Sequence, residues 1–210
     1  MLDYPGHVCT SLFFDRCNMK CEYCQNKLLE KENPIDFNTE ILPKLLERKP
    51  LVEYIILSGG ECTIEKETQK IINTLYEKGF KIGLHTNGYN PEFLEKNIKK
   101  ISYIGMDIKN SFDKYSEVSG IEIDINKIKK SIDIIIKNLK EYEFRTTVYP
   151  KYIDTEDCQK ISEYLGEKGA KTYVLQQYRM VNGLNVIPYS KEKLENIREI
   201  CNRYVNTKLR

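Results

Sequence analysis

Six short runs of the chain are rich in β-branched and aromatic residues: 8–14, 54–58, 81–85, 103–108, 143–149 and 171–177. Each reads as a strand. Between them lie longer, charged stretches in which apolar residues recur at helical spacing, over 65–78, 91–100, 125–140, 155–168 and 190–204. These read as amphipathic helices. Gly79 and Gly169 stand where two of the helices should end, and Asn90-Pro91 suits a helix start. Residues 27–37, with Asn33-Pro34, read as a loop between helical pieces. The alternation of strand and helix predicts an α/β fold with a parallel sheet, its functional groups gathered where strands end and loops begin.

Composition narrows the class. A chain of 210 residues, 40% hydrophobic and 30% charged, can bury one substantial core, so a single domain over 1–210 is expected. The formal charge is +2, with Lys and Arg dispersed along the helical stretches, and no nucleic-acid footprint stands out. The start has no basic and apolar leader, and no apolar run approaches the roughly 20 residues that span a bilayer. A cytosolic (cytoplasmic) protein with no membrane partner is the expectation. Seven cysteines are an odd number, and three of them fall within Cys17–Cys24. That distribution favours metal binding over a disulfide framework.

The three follow the first strand as Cys17-x3-Cys21-x2-Cys24. Thiolates are the ligands of iron–sulfur clusters, and three of them would leave one iron of a four-iron cluster open to a ligand. Structural zinc is the rival, with His7 or Cys9 as a fourth ligand, in a zinc-stabilised interaction protein. Further candidates sit at strand ends. Ser58-Gly59-Gly60-Glu61 offers glycines for close backbone approach and a carboxylate for an ammonium, or else a tight turn with a solvated Glu. Cys62 reads as a packed small residue and is not assigned to a metal. His85-Thr86-Asn87-Gly88 is a turn signal in its own right, and His85 reads as a hydrogen-bonded strand-end residue. Asp107 and Lys109 share one side of the fourth strand, as an ordinary ion pair or as ligand contacts. His7, Arg145, Gln177 and Tyr178 are as compatible with packing as with function.

Cys-x3-Cys-x-aromatic-Cys, with Tyr23 as the aromatic, resembles the signature of radical S-adenosylmethionine (SAM) enzymes. Asp3-Tyr4-Pro5-Gly6, Gln25-Asn26, Gly-Gly-Glu, Thr-Asn-Gly and Met106-Asp107-Ile108-Lys109 follow the order seen in glycyl-radical-enzyme activases of the anaerobic ribonucleotide reductase and pyruvate formate-lyase types. The resemblance implies a partial (β/α)6 TIM-type barrel and a 4Fe-4S cluster on Cys17, Cys21 and Cys24. It also implies SAM beside Tyr23, Gly59, Gly60, Glu61, Thr86, Asn87, Asp107 and Lys109. Glu61 would take the methionyl amino group, Lys109 the carboxylate and Asp107 the ribose hydroxyls or a cation. Some activases carry Asp where His85 stands, at a monovalent-cation site, which puts such a site in doubt here. The implied reaction is reduction of the cluster by a flavodoxin or ferredoxin, cleavage of SAM, and removal of a hydrogen atom from a glycine of a partner glycyl radical enzyme, with no protein side chain as general base. A radical enzyme for a small molecule, like the deazaguanine-forming enzymes, is the alternative.

Overall fold

The computed structural model describes residues 3–26, 35–180 and 183–210, so most of the loop expected over 27–37 lies outside the described residues. Seven strands form one sheet: β1 Cys9–Phe14, β2 Tyr54–Gly59, β3 Lys81–Thr86, β4 Tyr103–Asp107, β5 Glu141–Val148, β6 Tyr173–Gln177 and β7 Thr207–Leu209. They lie in chain order and every neighbouring pair is parallel. Parallel neighbours in unbroken order require each connection to cross back over the same sheet, as in a TIM-type barrel. Since β1 and β7 do not pair with each other, the barrel is partial. The α/β class therefore stands, with the strand number corrected from six to seven. At three residues, one of them Lys208, β7 is too short for a periodic signal.

Helices α1 Leu42–Arg48, α2 Thr68–Glu77, α3 Pro91–Asn97, α4 Tyr115–Ser119, α5 Ile125–Asn138, α6 Thr155–Glu167 and α7 Lys191–Cys201 fill the connections. The short α1 and α4 were not legible in the pattern. Helix α5 shows why the longer ones form. Asp124 caps its first turn by accepting from the Asn126 N–H, and Ile128, Ile132 and Ile135 line one buried face. Complete burial of each isoleucine contributes about 1.5–3 kcal/mol. They join one core with Ile104, Phe144 and Leu175 of the sheet. Strand β2 buries Ile55, Ile56 and Leu57 in succession, as expected when both faces of a parallel sheet are covered. Among the described residues no helix is long and apolar enough to cross a membrane.

Candidate active site

The carboxyl ends of the strands surround a cavity of about 380 Å³. Its walls include Cys17, Cys21, Tyr23 and Cys24 from the loop after β1, Gly59, Gly60 and Glu61 after β2, and Thr86 and Asn87 at the end of β3. Asp107 and Lys109 complete the ring from β4. Every residue that the resemblance implied for cluster or SAM thus borders one space.

The cysteine loop is tied down on several sides. The Lys20 N–H donates to the Ser119 carbonyl at 2.7 Å, and the Cys24 N–H donates to the Cys21 carbonyl at 3.2 Å. Glu22 accepts from Lys151 at 2.6 Å and from the Tyr152 hydroxyl at 2.9 Å. The Gly-Gly pair also packs closely against the protein's own backbone. A Cβ on Gly60 would stand 2.0 Å from the Arg16 carbonyl oxygen, and one on Gly59 2.4 Å from that of Phe14. The close approach made by these glycines is to the chain leaving β1, and the N–H groups of Gly60 and Glu61 donate to those same carbonyls at 2.7 Å. Desolvation pushes the thiols of buried Cys21 and of exposed Cys17 above their ordinary range, so thiolate formation is left to metal binding.

Glu61 is almost wholly buried. One carboxylate oxygen accepts from the Thr63 N–H at 3.1 Å, the Thr63 hydroxyl at 2.6 Å and the Thr86 hydroxyl at 2.8 Å. The other accepts from the Asn87 N–H at 2.6 Å. All four donors are neutral. Burial raises the carboxyl above its usual range in spite of them, which leaves a desolvated anion facing the cavity and suited to an ammonium. The Asn87 amide also donates to Asn18 at 2.7 Å, joining the end of β3 to the cysteine loop.

Lys109 donates to one Asp107 oxygen at 3.0 Å, and the Arg145 Nε donates to the other at 2.8 Å. Burial alone would raise the Asp107 carboxyl, but the Arg145 guanidinium and the Lys109 ammonium outweigh it and hold it well below the usual carboxylate range. His85 is bonded at both nitrogens. Nε2 lies 2.8 Å from the Asp3 carbonyl, which can only accept, so Nε2 donates and Nδ1 accepts from the Ser58 hydroxyl at 3.1 Å. Burial and the nearby Arg145 lower its pKa to about 4. The hydrogen-bonded strand-end reading of His85 fits this geometry.

Tyr23 is buried against Val118, Tyr149 and Tyr178, and its hydroxyl has no hydrogen-bond partner among the described residues. Cys62 is fully buried with its thiol 3.6 Å from the His85 carbonyl, and it does not line the cavity. His7 stacks on Tyr54 at 4.1 Å between ring centroids, and Cys9 packs beside Tyr4 and Tyr103. Neither borders the cavity. Among the described residues no three His, Cys, Asp or Glu side chains converge on a single ion, as four ligands about 2.0–2.3 Å from a zinc would have to. Cluster thiolates bind separate irons, so they are not held to that convergence. Arg145, Gln177 and Tyr178, left open between packing and function, do border the cavity, as does Arg210, for which the sequence carried no signal.

A family model for the radical SAM superfamily matches residues 11–177. The chain belongs to that superfamily. It is therefore a radical SAM enzyme, and members of the superfamily use a 4Fe-4S cluster and SAM. A Methanocaldococcus jannaschii protein provisionally named a glycyl-radical enzyme activating enzyme is 34% identical over 98% of this chain and 89% of its own length. The pyruvate formate-lyase-activating enzyme of Clostridium pasteurianum is 25% identical over 90% of this chain and 78% of its own. This radical SAM enzyme is thus activase-like. Among solved structures, Streptococcus suis SuiB bound to S-adenosylmethionine superposes with a TM-score of 0.73 at 17% identity. The match covers 99% of this chain and 51% of SuiB, so the chain spans about half the length of that protein, and the likeness bears on fold alone.

Proposed function

We propose that this radical SAM enzyme is a glycyl-radical-enzyme activase of the anaerobic ribonucleotide reductase or pyruvate formate-lyase type. The observation that carries the reading is that three thiols, a buried carboxylate that meets no cation among the described residues and an Asp–Lys pair, drawn from the ends of β1, β2 and β4, line one cavity. Cys17, Cys21 and Cys24 would hold the cluster, each giving up its thiol proton. Glu61 would accept from the ammonium of SAM, with Thr86 and Asn87 fixing its oxygens. Lys109 is the cation for a carboxylate, and Asp107 has lone pairs for ribose hydroxyls. Gly59 and Gly60 set the backbone beside them, and Tyr23 forms part of the apolar wall. When bound, cluster and SAM supply hydrogen-atom abstraction driven by one-electron cleavage of a sulfonium. The protein's part is to align donor and target and to exclude water. No side chain is needed as a general base, and a flavodoxin or ferredoxin would deliver the electron.

The test is to mix reconstituted, reduced enzyme and SAM with a candidate glycyl radical enzyme in the absence of oxygen. The reading expects a glycyl-radical doublet in electron paramagnetic resonance that depends on SAM. Deuterium transfer from a labelled small molecule, with no protein radical, would assign the enzyme to the small-molecule class instead.

A further inference from the structure

We infer that Arg145 is a tethered counter-cation of the SAM cavity: seated in the space left by Gly105, it fixes Asp107 so that Asp107 and Lys109 are presented together to a zwitterionic ligand, with no free monovalent cation required. The inference rests on the proposed function, since it takes SAM to be that ligand.

The β4–β5 register sets Asp107 directly beside Arg145. Beyond its bond to Asp107, the guanidinium donates to the Gly105 carbonyl at 3.2 Å. A Cβ on Gly105 would stand 2.8 Å from an Arg145 terminal nitrogen, 2.9 Å from its Cζ and 3.2 Å from the His85 ring. Guanidinium and imidazole therefore meet over the β4 position that has no side chain. Arg145 is buried to 7% side-chain exposure, whereas Asp107 keeps 31% open towards the cavity. Both Asp107 oxygens already face a cation of the chain itself. One carboxylate between two cations leaves a net positive charge at the end of β4, which favours an anionic group on the ligand. A metal ion placed there would meet the guanidinium. Arg145 acts through Asp107 and is a positioning residue.

The experiment is calorimetric titration of SAM into anaerobically reconstituted protein in sodium, potassium or tetramethylammonium chloride. The proteins are wild type, Arg145→Ala, Arg145→Lys, Gly105→Ala, Asp107→Asn and the Asp107→Asn/Arg145→Ala double variant, with melting curves to confirm folding. Wild-type affinity should be equal in all three salts. Arg145→Ala and Gly105→Ala should each bind at least about tenfold more weakly, Arg145→Lys within about threefold of wild type, and guanidinium chloride should restore part of the Arg145→Ala loss. The double variant should bind no more weakly than Asp107→Asn alone. Folded Arg145→Ala or Gly105→Ala binding as tightly as wild type, or a wild type that needs one particular cation, overturns the inference and leaves the proposed function standing. A wild type that binds no SAM in any salt overturns the proposed function and takes the inference with it.

Discussion

Replacing Glu61 by Gln keeps the shape of the side chain and removes its charge, and the structure lets the two consequences be separated. The carboxylate accepts two backbone N–H groups, one at each oxygen. An amide has only one acceptor oxygen, so whichever way the substituted side chain turns, its NH2 meets either the Thr63 or the Asn87 N–H. One buried donor is stranded, at a cost of about 1–3 kcal/mol. Against this, the variant no longer buries a charge, whose desolvation already raises the Glu61 carboxyl. The two effects oppose each other, so the melting temperature should change little at neutral pH. Below it they part. A carboxyl raised above its ordinary 4.5 takes up its proton more readily when folded, so the wild type gains stability as pH falls towards that value, and Glu61→Gln loses this gain. Ligand binding has no such compensation. Hydrogen bonds to charged groups contribute about 1.5–3 kcal/mol against about 1 for neutral pairs. The dissociation constant for SAM should therefore rise about 2- to 30-fold. Titration of reconstituted protein, beside melting curves of the cluster-free form, reads both quantities. Unchanged SAM affinity in a folded Glu61→Gln protein would show that the ammonium is held elsewhere.

Three further expectations can be checked on cluster-free or reconstituted protein. His85 has its pKa lowered from 6.5 to about 4, so the unfolded chain takes up the proton first as pH falls and the neutral folded form loses stability between those values. At 1.36 kcal/mol per pH unit the loss is about 3 kcal/mol, and denaturant titrations at pH 7 and pH 4 should show it in wild type and not in His85→Gln. Gly120 has a φ of 68°, and a Cβ there would stand 2.8 Å from the Lys20 carbonyl oxygen. Gly120→Ala should cost about 1–2 kcal/mol in backbone strain and lower iron retention by displacing the cysteine loop, whereas equal iron content would mean that the loop is held without this contact. Cys62→Ala should leave iron per chain unchanged, and Cys24→Ala should lower it; a Cys62→Ala protein that loses iron would make Cys62 a ligand.

The positions of six strands were readable because each combines β-branched residues with flanking polar stretches, and the cysteine loop because its spacing is compact. Asp107 and Lys109 were expected on one side of the fourth strand by alternation, and they do pair, although β4 ends at Asp107 and Lys109 lies just beyond it. Arg145 was not assignable in the same way. It lies 38 positions from Asp107, and their meeting depends on the β4–β5 register, which no local pattern fixes. Arg210 reaches Glu143 through β7, a strand with no periodic signal. The glycines of Gly59-Gly60 were recognisable as a close approach, and their contact with the chain leaving β1 was not. Helices α1 and α4 are too short for an apolar stripe to repeat.

The central claim is that Cys17, Cys21 and Cys24 hold a cluster whose open iron receives SAM. Anaerobic reconstitution with iron and sulfide, followed by reduction and addition of SAM, tests it most directly. The account predicts about four irons per chain, a change in the reduced cluster's paramagnetic resonance spectrum when SAM is added, and release of 5′-deoxyadenosine, all lost in Cys21→Ala. A protein that binds zinc tightly and no iron, or a Cys21→Ala variant that releases 5′-deoxyadenosine as well as wild type, would contradict it.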